Sequence, residues 1–298
     1  MLDMNFKRFF SLLVVLFVVL GVSAFAAGST KALVLQEMSW VDVKEYLKTN
    51  DMVIIPLGAT EQHGPHLPLG TDYYESIGIS KIISEKTGVV VAQVLMVGYS
   101  IYHSGFPGTL SLKPETMEQV LFETAEVLLK YGFRRFMFLN YHGGNNIVQD
   151  KVMHRINHFT KGIAVAIGIG NSIQTEDEEE DFFDWHSGKS ETSIMLYLRP
   201  DLVRMDRAEK PGITFTPQMK ELQELSKKHP ELMHVWQKLF GVPAETGKGG
   251  ASHELSSNGV WSFNDPKTAT KEIGEKSVTK MVDTAVSFIN AWKKVKMN

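Results

Sequence analysis

"DMVIIPLGATEQHG", residues 51–64, passes without a break from an apolar run into a polar stretch bounded by glycines. The run from Met52 to Leu57 has the length of a strand, and because no polar residue alternates through it, both of its faces must be covered. Gly58 ends it, and Glu61 and His63 follow directly. Working outward, "GVVVAQVLMVG" (88–98), "FRRFMFLN" (133–140) and "GIAVAIGIG" (162–170) read the same way. Between the runs lie helical patterns. One spans Tyr73 to Lys86 and stops at Gly88; another spans Pro114 to Tyr131, with Met117, Val120, Leu121, Ala125 and Leu128 on one face and Gly132 after its end. Strand and helix alternate, which predicts an α/β sandwich around a mainly parallel sheet.

Residues 217–240 form an amphipathic stretch that Pro230 divides into two short helices. From Pro266 to Val295 the apolar residues recur every three or four positions, predicting a long terminal helix with Asp265 as its N-cap. No internal repeat, low-complexity linker or domain boundary is visible. The chain of 298 residues reads as a leader, 1–27, followed by a single domain, 28–298.

The leader carries Lys7 and Arg8, an apolar run from Phe9 to about Val22, and the small-residue stretch Ser23-Ala24-Phe25-Ala26-Ala27. That order is a secretory signal cleaved near Ala26 or Ala27; the alternative, a membrane anchor, has a short run for a bilayer. The mature chain is therefore expected outside the cytoplasm, periplasmic or extracellular, and free of the membrane. A formal net charge of -3 gives no reason to expect nucleic acid. With no cysteine, any metal must be held through nitrogen and oxygen. The acidic run "EDEEED" (176–181) reads as a solvated loop, or as the rim of a site that repels anions.

The polar clusters fall where a parallel sheet places a site. "GATEQHG" follows the first strand, "NYHGGNN" the third, and "WHSGKSETS" lies beyond the fourth, so three segments converge at the carboxyl ends of the strands. A Glu-x-His pair in extended backbone puts Glu61 and His63 on one side, about 7 Å apart at the α-carbons. Adding Asp72, whose two oxygens can bridge, and His142 gives four ligands of the kind that zinc, manganese or iron accept. His154, His158, His229 and His234 lie on helical patterns and read as ordinary surface or structural residues. His66 has either a supporting role behind the ligands or a packing role in its proline turn. "NYHGGNN" lacks the lysine and the glycine spacing of a phosphate loop, which argues against nucleotide binding.

Taken together, "IPLGATEQHGPHLPLGTD", "FPGTLSL" (Phe106 to Leu112), "NYHGGN" and "HSGKSETS" resemble the successive motifs of the creatininase (creatinine amidohydrolase) family, in the same order. "SSNGVWSFNDPKTAT" resembles it more weakly. The resemblance implies metal-dependent hydrolysis of a non-peptide C–N bond in a three-layer α/β/α fold, often as a homo-oligomer up to a hexamer. It implies Glu61, His63, Asp72 and His142 as ligands of two divalent ions, with Asp72 bridging, and His186 as the catalytic histidine. Creatininase itself has a glutamate where this chain has Gly144, so Glu191, of the "ETS" signature, is expected to supply the missing carboxylate. The glycine form looks like the branch that includes formamidopyrimidine deformylases and the peptidase of mycofactocin maturation. Tyr102, His103, Phe106 and Trp185 are candidates for the substrate wall. An exported amidohydrolase acting on a small cyclic amide or formamide is the expectation. A lactonase, a small-peptide hydrolase and a non-catalytic binding protein are the alternatives.

Overall fold

The computed structural model describes residues 31–168 and 184–296; the leader and the acidic run 176–181 lie outside the described residues. In chain order the main elements are α1 (Trp40–Tyr46), β1 (Met52–Leu57), α2 (Thr71–Thr87), β2 (Val90–Val91), α3 (Pro114–Tyr131), β3 (Arg135–Asn140), α4 (Asn146–Phe159) and β4 (Ile163–Ala166). Beyond them come β5 (Asp184–His186), α5 (Lys189–Leu198), α6 (Pro217–Ser226), α7 (Met233–Lys238), α8 (Ser252–Leu255), β6 (Trp261–Ser262) and α9 (Lys271–Trp292).

β1 is central in a parallel sheet of order β2-β1-β3-β4, and its six residues pair in register with all six of β3. Alternation along β1 sorts its side chains into two cores. Met52 and Ile54 pack with Ile79 and Ile83 of α2, Ile194 of α5 and Val278, Val282 and Ile289 of α9. Val53, Ile55 and Leu57 pack with Leu121 and Ala125 of α3 and Val148 and Val152 of α4 on the other face. Helices therefore cover both faces, the three-layer α/β/α arrangement that the apolar strands require.

Pro56 sits in this central strand because of where its missing N–H would point. Ile54 accepts from Ala92 on the β2 side, and Pro56, two residues on, faces the same side, where β2 has already ended at Val91. No ladder bond is lost. The run 88–98 yields only the two-residue β2, so most of its apolar side chains serve loops rather than sheet. The long terminal helix begins later than its periodicity suggests: Asp265 caps a short 3-10 turn, Pro266–Thr268, and Thr270 caps α9 by accepting from Ile273. Pro230 does separate two short helices. Among the described residues no helix is long and apolar enough to cross a membrane.

Candidate metal centre

The loop from Gly58 to Gly70 has no regular structure, yet backbone bonds brace it. Glu61 N–H donates to the Leu69 carbonyl at 2.7 Å, Leu110 N–H donates to Thr60 at 2.8 Å, and Gln62 N–H donates to Thr109 Oγ1 at 3.1 Å. The "FPGTLSL" motif thus acts as a strut for the ligand loop. Asn145, fully buried, ties three loops together: its Nδ2 donates to the Gly58 carbonyl (3.0 Å) and to Asn140 (3.3 Å), and its Oδ1 accepts from Tyr99 N–H (3.1 Å). Asp72 enters from the first turn of α2, where the helix N-terminus favours a carboxylate. Glu191 enters from the first turn of α5, held by Ser187 N–H at 2.5 Å. Ser187 takes a left-handed φ of 57°, and this bond helps to offset that cost of about 1 kcal/mol.

These elements gather Glu61, His63, Asp72, His142, His186 and Glu191 around one cavity edge. Three groups, Glu61–His63–Asp72, His63–His186–Glu191 and Glu61–His103–His186, each bring three donor atoms within 4.8 Å of one another. Backbone carbonyls only accept, so they assign the imidazole protons. His63 gives its Nδ1–H to the Glu61 carbonyl (3.1 Å) and turns Nε2 to Asp72 Oδ1 (3.0 Å) and Glu191 Oε2 (3.7 Å). His142 gives its Nε2–H to the Tyr99 carbonyl (2.9 Å) and turns Nδ1 to Asp72 Oδ2 (3.1 Å) and Glu61 Oε1 (3.3 Å). His186 gives its Nε2–H to the Gln62 carbonyl (2.7 Å) and turns Nδ1 to Glu61 Oε1 (3.8 Å).

Three buried nitrogens with lone pairs therefore face carboxylate oxygens, an arrangement that repels itself unless a cation stands between them. In the metal-free protein, protons fill that role at His63 and His142. Burial opposes charge on His63, but Asp72, then Glu191 and Glu61, outweigh it and raise its pKa to about 10. His142 is raised well above its ordinary value against burial, chiefly by Glu61. Burial pushes Asp72 upward, yet His63 and His142 hold it far below the usual carboxylate range. Burial lifts Glu191 to about 8 despite His63. Burial and then His63 keep His186 neutral, with a pKa well below the ordinary value. Glu61 Oε2 is also buried without a partner. Nitrogen and carboxylate donors alone, with tautomers preset, fit divalent zinc, manganese or iron.

His103 differs from the other three. Gln62 Nε2 (3.1 Å) and Ser252 Oγ (2.7 Å) both meet its Nδ1, which leaves Nε2–H for Glu61 Oε1 at 3.3 Å. It stands behind Glu61 as a support as well as lining the cavity. His66 is buried, and its Nε2 meets Thr192 Oγ1 at 2.8 Å; it belongs to none of the three donor groups. Gly144 offers no ligand and has room for none: a Cβ there would lie 2.2 Å from the Tyr99 carbonyl and 2.5 Å from His142 Nε2. The bare glycine permits the bond that fixes the His142 tautomer.

The centre opens into an inner cavity of about 340 Å³ and an outer one of about 530 Å³ that share Tyr102, Gly143, Asn146 and Trp185. Tyr102 and Trp185 line both, while Phe106 lines neither and holds the strut near His103. Phe240 and Trp261 line the outer cavity. Sequence pattern alone does not mark Gln62, Asn145 or Glu75 as parts of the site. Glu75 is 0% exposed, with neither carboxylate oxygen hydrogen-bonded, at a cost of about 1–3 kcal/mol for each such group. Its position three residues after Asp72, on the same face of a helix, was the available signal.

Comparison with known proteins agrees with this fold. The family model for creatinine amidohydrolase matches residues 36–289. The chain is 29% identical over 259 residues to the mycofactocin precursor peptide peptidase of Mycolicibacterium smegmatis, covering 81% of this chain and 85% of that one. It is 31% identical over 211 residues to the creatinine amidohydrolase of Pseudomonas putida, covering 63% and 80%. A mutant creatininase of Zn-Zn type superposes with a TM-score of 0.68 at 24% identity, over 89% of this chain and 100% of that one. A manganese creatininase superposes at 0.65 and 23%, over the same shares.

Proposed function

The chain belongs to the creatinine amidohydrolase family, and from that premise we propose that it is an exported hydrolase that cleaves the C–N bond of a small amide with two divalent ions. The observation that carries this reading is the set of three imidazoles whose backbone-fixed tautomers aim free nitrogens at buried carboxylates. Glu61, Asp72 and His142 would hold one ion, and His63, Asp72 and Glu191 the other. When bound, such ions acidify water toward neutral pH and polarise a carbonyl oxygen.

The side chains then have separate tasks. His186, its Nε2–H anchored on Gln62, holds Nδ1 ready to take the proton of the attacking water and pass it to the leaving nitrogen as the C–O bond forms and the C–N bond breaks. Because burial keeps it neutral, it can accept that proton. His103 orients Glu61, and Tyr102 and Trp185 exclude water from the substrate. A homo-oligomer is part of the same proposal. So is export, which rests on the charged, apolar and cleavable order of residues 1–27.

A second reading, a short peptide as substrate, is favoured by the outer cavity, which extends the site beyond what a five-membered cyclic amide fills. Screening the zinc- and manganese-loaded protein against cyclic amides, formamides, lactones and short peptides tests both. The proposal expects chelator-sensitive cleavage of an amide. Cleavage of esters alone, or no cleavage, would overturn it. Mass spectrometry of the exported fraction should find a chain beginning near Ala27 or Gly28, and an intact Met1 there would contradict export.

A further inference from the structure

The inner cavity is lined by more carboxyl groups than the residues proposed to hold the two metal ions account for. Glu61, Asp72, Glu75, Asp184 and Glu191 line it, and among the described residues no lysine or arginine does. Three of these five, Glu61, Asp72 and Glu191, would hold the two ions, and of the other two only one lacks a partner in the protein. The one left over is identified by its bonding. Glu61, Asp72 and Glu191 stand in the donor groups, and Asp184 accepts from Ser190 N–H at 2.6 Å. Glu75 stands in none of those groups, is fully buried, and has both oxygens unpartnered. A buried carboxyl group that faces a cavity and lacks any donor from the protein calls for a partner from outside the chain.

We propose that Glu75 is the receptor for a protonated amino group, so that the substrate is an amino amide: an amino-acid amide or a short peptide with its amine close to the scissile bond. The spacing fits. Asp72 and Glu75 are three apart on one helix face, about 5–6 Å at their β-carbons. An α-amino nitrogen lies two bonds of about 1.5 Å each from the carbonyl carbon, so an ammonium on Glu75 leaves the carbonyl beside Asp72. The inference rests on the hydrolase reading for the position of the amide and adds the charge that the substrate must carry.

The test compares two amides of one shape and different charge. Alaninamide and isobutyramide differ by an ammonium in place of a methyl group. Each is titrated calorimetrically into the zinc-loaded wild type and into zinc-loaded Glu75→Gln, with metal content measured on both proteins. The expected result is at least about tenfold tighter binding of alaninamide to the wild type and loss of that preference in Glu75→Gln with metal retained. Equal affinities in the wild type, or no binding of alaninamide, would overturn the amine receptor even if Glu75→Gln failed to fold. Loss of metal in Glu75→Gln would also overturn it and make Glu75 a ligand. Hydrolysis of neutral amides at normal rates alongside equal affinities would leave the hydrolase reading standing and remove only this inference.

Discussion

The two cavities that meet at Tyr102 and Trp185 are built from different parts of the chain and by different means. The inner one takes its groups from the ends of β1 and β3, from β5, and from the first turns of α2 and α5, with Asn145 and the Thr109 strut fixing the loops between them. The outer one takes Gln237 and Lys238 from the end of α7, Phe240 and Gly241 from the turn after it, and Trp261 from β6. The stretch from α6 to β6 has its own small core of Met219, Leu255 and Trp261, with Trp236 and Phe240 in perpendicular contact at 4.3 Å between ring centroids. On the proposed reading, chemistry sits on the regular scaffold, where sub-ångström errors would be costly, and shape selection on a layer with a core of its own.

This division orders the expected effects. The greatest should come from Asp72→Ala, which removes the carboxylate lying 3.0 Å from His63 and 3.1 Å from His142, one on each side of the centre. Both ions and all turnover should be lost. Full metal occupancy by elemental analysis would break the assignment of Asp72 as the bridge. His186→Ala should keep the metals and lose about 10²- to 10⁴-fold in kcat, read from steady-state kinetics alongside metal content. Loss of metal instead would make His186 a ligand.

Metal affinity should depend on pH in a definite direction. In the metal-free protein His63 keeps its proton up to about pH 10 and Glu191 up to about pH 8. These two protons and that of His142, whose pKa is also raised well above its ordinary value, must leave for ligation, so affinity rises with pH by about tenfold per unit for each proton displaced: at least about a hundredfold per unit below pH 8 and at least about tenfold between 8 and 10. A zinc titration that is flat between pH 6 and 9 would contradict the proton-for-metal exchange. The smallest effect belongs to the outer cavity. Phe240→Ala should raise KM for bulky amides or peptides by about tenfold, about 1.4 kcal/mol, with kcat on small amides unchanged. A comparable fall in kcat on every substrate would mean that the two regions are not separable.

Much of this was legible in the sequence because it rests on local rules. Met52 to Leu57 could only be a strand covered on both faces, and Gly88 and Gly132 cap their helices in left-handed conformations as their positions after apolar periodicity require. Glu61, His63, Asp72 and His142 were visible because carboxylates and imidazoles cluster after strand ends. What stayed hidden depends on contacts between distant residues. His103 reads as an aromatic near a site until Gln62 and Ser252, 149 positions away, claim its Nδ1. Phe106 reads as a wall residue from its motif, but that motif is spent on bracing Thr60 and Gln62. The pairing of β5 with β6 joins residues separated by four helices, α5 to α8, and no periodicity announces it.

The central claim is a two-ion centre in which Glu191 supplies the carboxylate that Gly144 cannot. Counting metal ions per chain in the wild type and in Glu191→Gln tests it most directly, with circular dichroism to confirm the fold. Two ions in the wild type, about one in Glu191→Gln and abolished hydrolysis is the result predicted. A folded Glu191→Gln protein that holds both ions and turns over normally would contradict the assignment.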